Sequence, residues 1–381
     1  MHNKMQGAAT SVAAAIVLLA LAGCAGNDMS QPRASPGAGA PKAQPAPAAD
    51  LPPAVTLTPL QVVLQELAAL TPAPLETLPA QQARKQPTVG DAVRKVLTRL
   101  GRGIAPEAIG RAENRTIQSA DAEANLPIRI YWPNGMAPGG TGAGALPVIA
   151  YYHGGIWVNG SLDSHDNSAR ALANAALAIV VSVHTRQAPE HRFPAAHDDA
   201  FSAYQWILLN APILGGDPAR VAVAGEAAGG NLAASVAIRA RDRQIRMPLH
   251  QVLIYPIMDL AGDTPSRREN HDAQPLGVPT LTWGIAQYLE RAADAVSPVA
   301  SPLRTSDLTG LPPATIITAG IDPLRSEGET YALRLQQAGV VVDYKNYAGL
   351  PHDFFGMGAV VEQAKVAVSQ AAAGLRRAFG N

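Results

Sequence analysis

The 381-residue sequence predicts an α/β fold, with a mostly parallel central sheet, helices on both of its faces and a helical cap. Three observations predict it. From about residue 146 onward, short apolar runs rich in β-branched residues alternate with helix-patterned stretches. The runs are continuously hydrophobic, as strands buried on both faces are. Hydrophobic residues make up 47% of the chain, ample for a sizeable core.

The elements follow in order. MHNKMQGAATS is a weakly basic start, and VAAAIVLLALAG is an apolar run too short to span a bilayer as a stable helix. The only cysteine, Cys24, stands directly behind it, so no intrachain disulfide and no multi-cysteine metal site can form. Leu21-Ala22-Gly23-Cys24 resembles a bacterial lipobox. That resemblance implies a signal peptide over 1–23, cleavage before Cys24, and a lipid anchor at that residue on the bacterial cell envelope. The alternative is an ordinary signal peptide with a chance cysteine. Residues 24–56 form a Pro/Ala-rich linker, and 57–381 the folded domain.

Thirty basic residues balance thirty acidic ones, with no block of like charge, which argues against nucleic acid as a partner. Within the domain, LTPLQVVLQELAAL and TVGDAVRKVLTRLG have apolar residues at helical spacing, the second starting at Thr88 and stopping at Gly101. NRTIQS and NLPIRIYWP read as edge strands. LPVIAYYHG, AIVVSVH, VAVAGE, HQVLIYP, ATIITAG and VVDYKNYAG are the core strands. Two segments leave the alternation, 57–110 and about 258–303, the latter holding the helical stretch TLTWGIAQYLERA. Functional residues of such sheets gather at the carboxyl ends of the strands, so these segments are natural cap material over that edge.

Four strand ends carry chemistry: HGGIWV from His153, GEAAGGN from Gly225, IDPLR from Ile321 and PHDFFG from Pro351. With RQAPEH from Arg186 and FPAA from Phe193, they resemble the α/β-hydrolases of the hormone-sensitive-lipase family, bacterial short-chain esterases with an H-G-G-G motif. The resemblance covers roughly residues 90–380. It implies a nucleophile elbow centred on Ala227, with Asp322 as triad acid and His352 as general base. It also implies an oxyanion hole made by the N–H groups of Gly155, Ile156 and Ala228, helped by Gly154. The expected ligand is a small carboxylic ester, with no cofactor. His165, His184, His191, His197, His250 and His271 show no zinc-ligand spacing, so no metal is expected.

Three positions depart from the family pattern. Ala227 replaces the nucleophilic serine, Ile156 the third glycine after His153, and Thr185 a common tyrosine. Ile156 is expected to be strained wherever its backbone needs positive φ, and its side chain to crowd the acyl site. Neither Ser161 nor Ser235 is placed to face His352, and Arg186 and Glu190 read as a structural ion pair. Three functions remain open: an esterase scaffold with little or no turnover, a small-molecule-binding pseudoenzyme, or an enzyme using the Asp322–His352 pair as a non-covalent general base.

Overall fold

The computed structural model describes residues 57–71, 73–119, 124–135 and 144–380. Cys24, its apolar run and the Pro/Ala-rich linker lie outside the described residues. The N-terminal part is helical: α1 (Pro59–Leu70), α2 (Ala80–Ala83) and α3 (Val89–Arg99). Thr58 and Thr88 begin α1 and α3 through capping boxes with Gln61 and Asp91, each satisfying N–H groups that a helix start leaves unpaired.

The strands and helices then alternate: β1 (Arg111–Gln118), β2 (Asn125–Trp132), β3 (Leu146–Tyr152), α4 (Asp166–Ala176), β4 (Ile179–Val183) and α5 (Ala195–Asn210). They continue as β5 (Gly216–Glu226), α6 (Ala228–Asp242), β6 (Gln251–Ile254), α7 (Pro265–Glu269) and α8 (Val278–Tyr288). The chain closes with β7 (Ala314–Ile321), α9 (Arg325–Gln337), β8 (Val342–Pro351) and α10 (Glu362–Phe379). One eight-stranded sheet runs β1-β2-β4-β3-β5-β6-β7-β8. The β1–β2 and β2–β4 pairs are antiparallel, and every other pair is parallel.

Side-chain alternation along β3 shows why its run is continuously apolar. Val148, Ala150 and Tyr152 enter one core with α5 and α6, while Ile149 and Tyr151 enter a second with α4 and α10. Both faces are covered, as the sequence predicts. Burying a side chain such as Val148 or Ile149 is worth about 1.5–3 kcal/mol. The two segments outside the alternation meet each other: Thr280 of α8 donates to Glu76 at 2.7 Å. Among the described residues, no helix is long and apolar enough to cross a membrane.

Candidate active site

Strand register brings the site together. Ile321 pairs with Pro351 in parallel register, so the next residues, Asp322 and His352, emerge side by side. Tyr152 pairs with Gly225 in the same way, setting the His153 loop beside the turn that follows β5.

Ala227 forms the corner of that turn, at φ 50° and ψ −113°. Such a conformation costs an L-residue roughly 1–3 kcal/mol and persists only when its surroundings impose it. Here they do. The Ala227 N–H donates to Ile254 at 2.9 Å, and its carbonyl accepts from the N–H groups of Asn231 and Ile257, both at 3.1 Å. The flanking glycines are steric requirements. A Cβ on Gly225 would stand 2.1 Å from the Gly229 carbonyl oxygen, and one on Gly229 would stand 1.9 Å from that of Tyr152.

Asp322 is 0% exposed and His352 4%. The His352 Nδ1–H donates to Asp322 Oδ2 at 2.7 Å, while Oδ1 accepts from the Leu324 N–H at 2.8 Å. A second carboxylate lies behind the pair. Buried Glu226 accepts from the hydroxyls of Tyr151 and Tyr255, and the Tyr255 ring packs 4.5 Å from the His352 ring. Burial by itself favours neutral imidazole, but Asp322, Asp353 and Glu226 outweigh it and raise the His352 pKa to about 9. The charged form therefore stabilises the fold. That contribution is complete below the ordinary histidine pKa of about 6.5 and is lost as pH rises through about 9. An NMR titration of the His352 ring is expected to give a midpoint near 9, lowered in Asp353→Asn. A midpoint at or below the ordinary value contradicts this electrostatic account.

The His153 loop is held from beneath by histidines. Register pairs Tyr152 with Val183, which places His153 next to His184. His184 Nδ1 lies 2.9 Å from His153 Nε2, and the His153 Nδ1–H donates to the Gly154 carbonyl at 2.7 Å. Burial lowers the pKa of both rings, which fits one proton per ring in this chain. The Gly154 N–H donates to His165 Nε2 at 3.1 Å. Among the described residues, the N–H groups of Gly155, Ile156 and Ala228 have no protein acceptor. Ala228 is the first residue of α6, where the helix dipole adds partial positive charge.

From above, Trp157 stacks on Tyr288 of α8 at 4.4 Å, and Val158 accepts from Arg84 Nε at 2.8 Å. The Tyr288 hydroxyl lies 2.7 Å from His197 Nδ1, whose Nε2 lies 2.9 Å from Asn231 Oδ1. Asn231 spends its amide on the Ile257 and Ala300 carbonyls, both at 2.8 Å, so Oδ1 is the acceptor and Tyr288 the donor. Burial pushes His197 down to about 4, keeping it neutral in this role.

Residues 149–356 match the family model described as alpha/beta hydrolase fold. The chain belongs to the α/β-hydrolases, among the esterases related to hormone-sensitive lipase. It is 42% identical over 272 residues to a carboxylesterase of Mycobacterium tuberculosis, covering 71% of this chain and 83% of that protein. An ethyl acetate hydrolase of Pseudomonas putida is 37% identical over 292 residues, covering 76% and 88%. Among solved structures, an ester-hydrolase from the metagenome of Lake Arreo, complexed with a bipyridine phosphonate derivative, superposes with a TM-score of 0.75. It is 36% identical, and the match covers 85% of this chain and 99% of that one. The chain is thus an esterase scaffold of this superfamily.

Within this α/β-hydrolase, Asp322 and His352 pair directly, Ala227 occupies the elbow, and Glu226 with Tyr255 bridges the elbow to His352. Two expectations about the site need correction. Gly154 does not offer a free N–H to the site, because His165 takes it. Arg186 does not pair with Glu190: it forks onto wholly buried Asp199 at 2.8 Å, a carboxylate that needs a cation, while Arg84 takes Glu190 at 2.9 Å.

Ile156 does adopt positive φ, at 53°, with its side chain turned onto Gly284 of α8. Thr185, in place of a bulkier tyrosine, borders a cleft of about 370 Å³ beside Arg84, His184 and Glu190. Ser161 Oγ is engaged by the N–H groups of Asp163 and Ser164, and His352 hydrogen-bonds neither it nor Ser235. Among the described residues, no cluster of His, Cys, Asp or Glu is placed to hold a metal ion.

In the sequence, His165 and His184 read only as candidate metal ligands. The adjacency of β3 and β4 was the signal that could have placed His184 against His153.

Proposed function

We propose that this protein binds small carboxylic esters on an esterase scaffold and turns them over hardly at all. The observation that carries the reading is Ala227 in an elbow whose backbone strain, flanking glycines and neighbouring Asp322–His352 pair are all retained. In this reading His352 is the base and Asp322 orients it. The N–H groups of Gly155, Ile156 and Ala228 polarise the ester carbonyl. No side-chain oxygen stands at residue 227 to form the acyl-enzyme. Without a nucleophile, a serine hydrolase keeps only about 10³–10⁴ over water, from binding and the oxyanion hole.

A non-covalent general-base enzyme would use the same Asp322–His352 pair on water instead of on a serine oxygen, and the two readings part on the turnover of the unaltered chain. The test compares the chain with Ala227→Ser on short p-nitrophenyl esters. Turnover is expected only in the serine variant, and robust turnover by the unaltered chain that disappears in His352→Ala would overturn the reading.

A further inference from the structure

Gly284 lies in the interior of α8, on the buried stripe formed with Leu281 and Tyr288. Glycine in a helix interior costs stability relative to alanine, so a glycine on a buried face calls for a reason. The reason is Ile156. A Cβ on Gly284 would stand 2.3 Å from Ile156 Cγ2 and 2.8 Å from its Cβ, far inside van der Waals contact. Gly284 is a socket, and the Ile156 side chain fills it, leaving Ile156 only 6% exposed. This residue holds a β-branched side chain at φ 53°, a conformation that its own chemistry disfavours and that surrounding contacts must impose.

We propose that Ile156 is a specificity-determining residue: seated in Gly284, it fills the space between its loop and α8 and restricts the site to esters with small acyl groups. This rests on the ester-site reading given above. In that reading the Ile156 N–H contacts the ester carbonyl, so its side chain starts within one residue's reach of the ligand. A glycine at 156 would leave the volume of a four-carbon side chain open to the acyl group. That volume is not recovered by a small retreat of α8. Moving the helix away also breaks the Trp157–Tyr288 stack and the Tyr288–His197–Asn231 chain that ties α8 to α6.

A site without a nucleophile allows esters themselves to be titrated as equilibrium ligands. Calorimetry with methyl acetate, methyl butyrate and methyl octanoate, on the full chain and on Ile156→Gly, reads the acyl-length profile. The unaltered chain is expected to favour the short esters. Ile156→Gly is expected to tighten methyl octanoate by at least about tenfold, the scale at which pocket volume discriminates methylenes.

A second measurement isolates the socket. Gly284→Ala is expected to lower Tm in the unaltered chain and to raise it in the Ile156→Gly background, where only alanine's helix preference remains. The inference is overturned by an unchanged acyl-length profile in Ile156→Gly, or by a Gly284→Ala effect of one sign in both backgrounds. If esters bind with one profile in both chains, this inference alone fails. If no ester binds either chain, the ester-site reading fails and takes the specificity claim with it.

Discussion

Ala227→Ser is expected to raise kcat on p-nitrophenyl butyrate by as much as about 10⁶-fold, the loss seen when a serine hydrolase is deprived of its nucleophile. That is roughly 8 kcal/mol of transition-state stabilisation supplied by one oxygen atom. The expectation is large because little else has to change. The elbow already holds residue 227 at φ 50° and ψ −113°, so a serine Oγ would be delivered without rearranging β5 or α6. Asp322 already orients His352, and three N–H groups wait without acceptors among the described residues. The pH dependence is part of the prediction. A base must be neutral to take the serine proton, and the surrounding carboxylates raise His352 to about 9. Activity of the serine variant therefore climbs as pH rises toward about 9, and His352→Ala in that variant removes it. A serine variant with no gain at any pH contradicts the account of the elbow.

The second large effect is on stability. Alanine normally stabilises a helix by about 1 kcal/mol over glycine. Gly229 lies near the start of α6, yet Gly229→Ala is expected to destabilise by about 4 kcal/mol or more, in the range reserved for buried backbone collisions. The added Cβ meets the Tyr152 oxygen at 1.9 Å, the Tyr152 carbonyl carbon at 2.5 Å and the His153 oxygen at 2.6 Å. All three are backbone atoms, so no side chain can swing aside, and β3 and α6 must separate. Gly349→Ala is the control, since a Cβ there meets nothing within 4 Å, and its effect should stay within about 0.5 kcal/mol. Urea unfolding of the two variants measures both. Equal midpoints would contradict the steric reading.

The layer architecture was legible because continuous apolar runs alternating with helices leave few other arrangements. The positions of Ala227, Asp322 and His352 were legible because each directly follows a strand, where parallel sheets place their chemistry. What the sequence concealed depends on contacts between distant parts of the chain. His165 removes the Gly154 N–H, and Arg84 rather than Arg186 reaches Glu190, because the loop after β4 turns Arg186 inward to Asp199. The RQAPEH motif suggested the Arg186–Glu190 pair, and the desolvated Asp199 carboxylate overrode it. Ile156 could be flagged as a strained departure from glycine, but its partner Gly284 looked like any helix glycine until α8 was seen lying on it.

The central claim, that the site binds esters and leaves them intact, is tested most directly by following methyl butyrate with the unaltered chain by NMR. The account predicts saturable exchange broadening of the ester, weakened in Ile156→Trp, with butyrate appearing no faster than the weak residual rate of a site lacking its nucleophile. Butyrate released at ordinary esterase turnover, on the order of 10 per second, and abolished in His352→Ala, would contradict it.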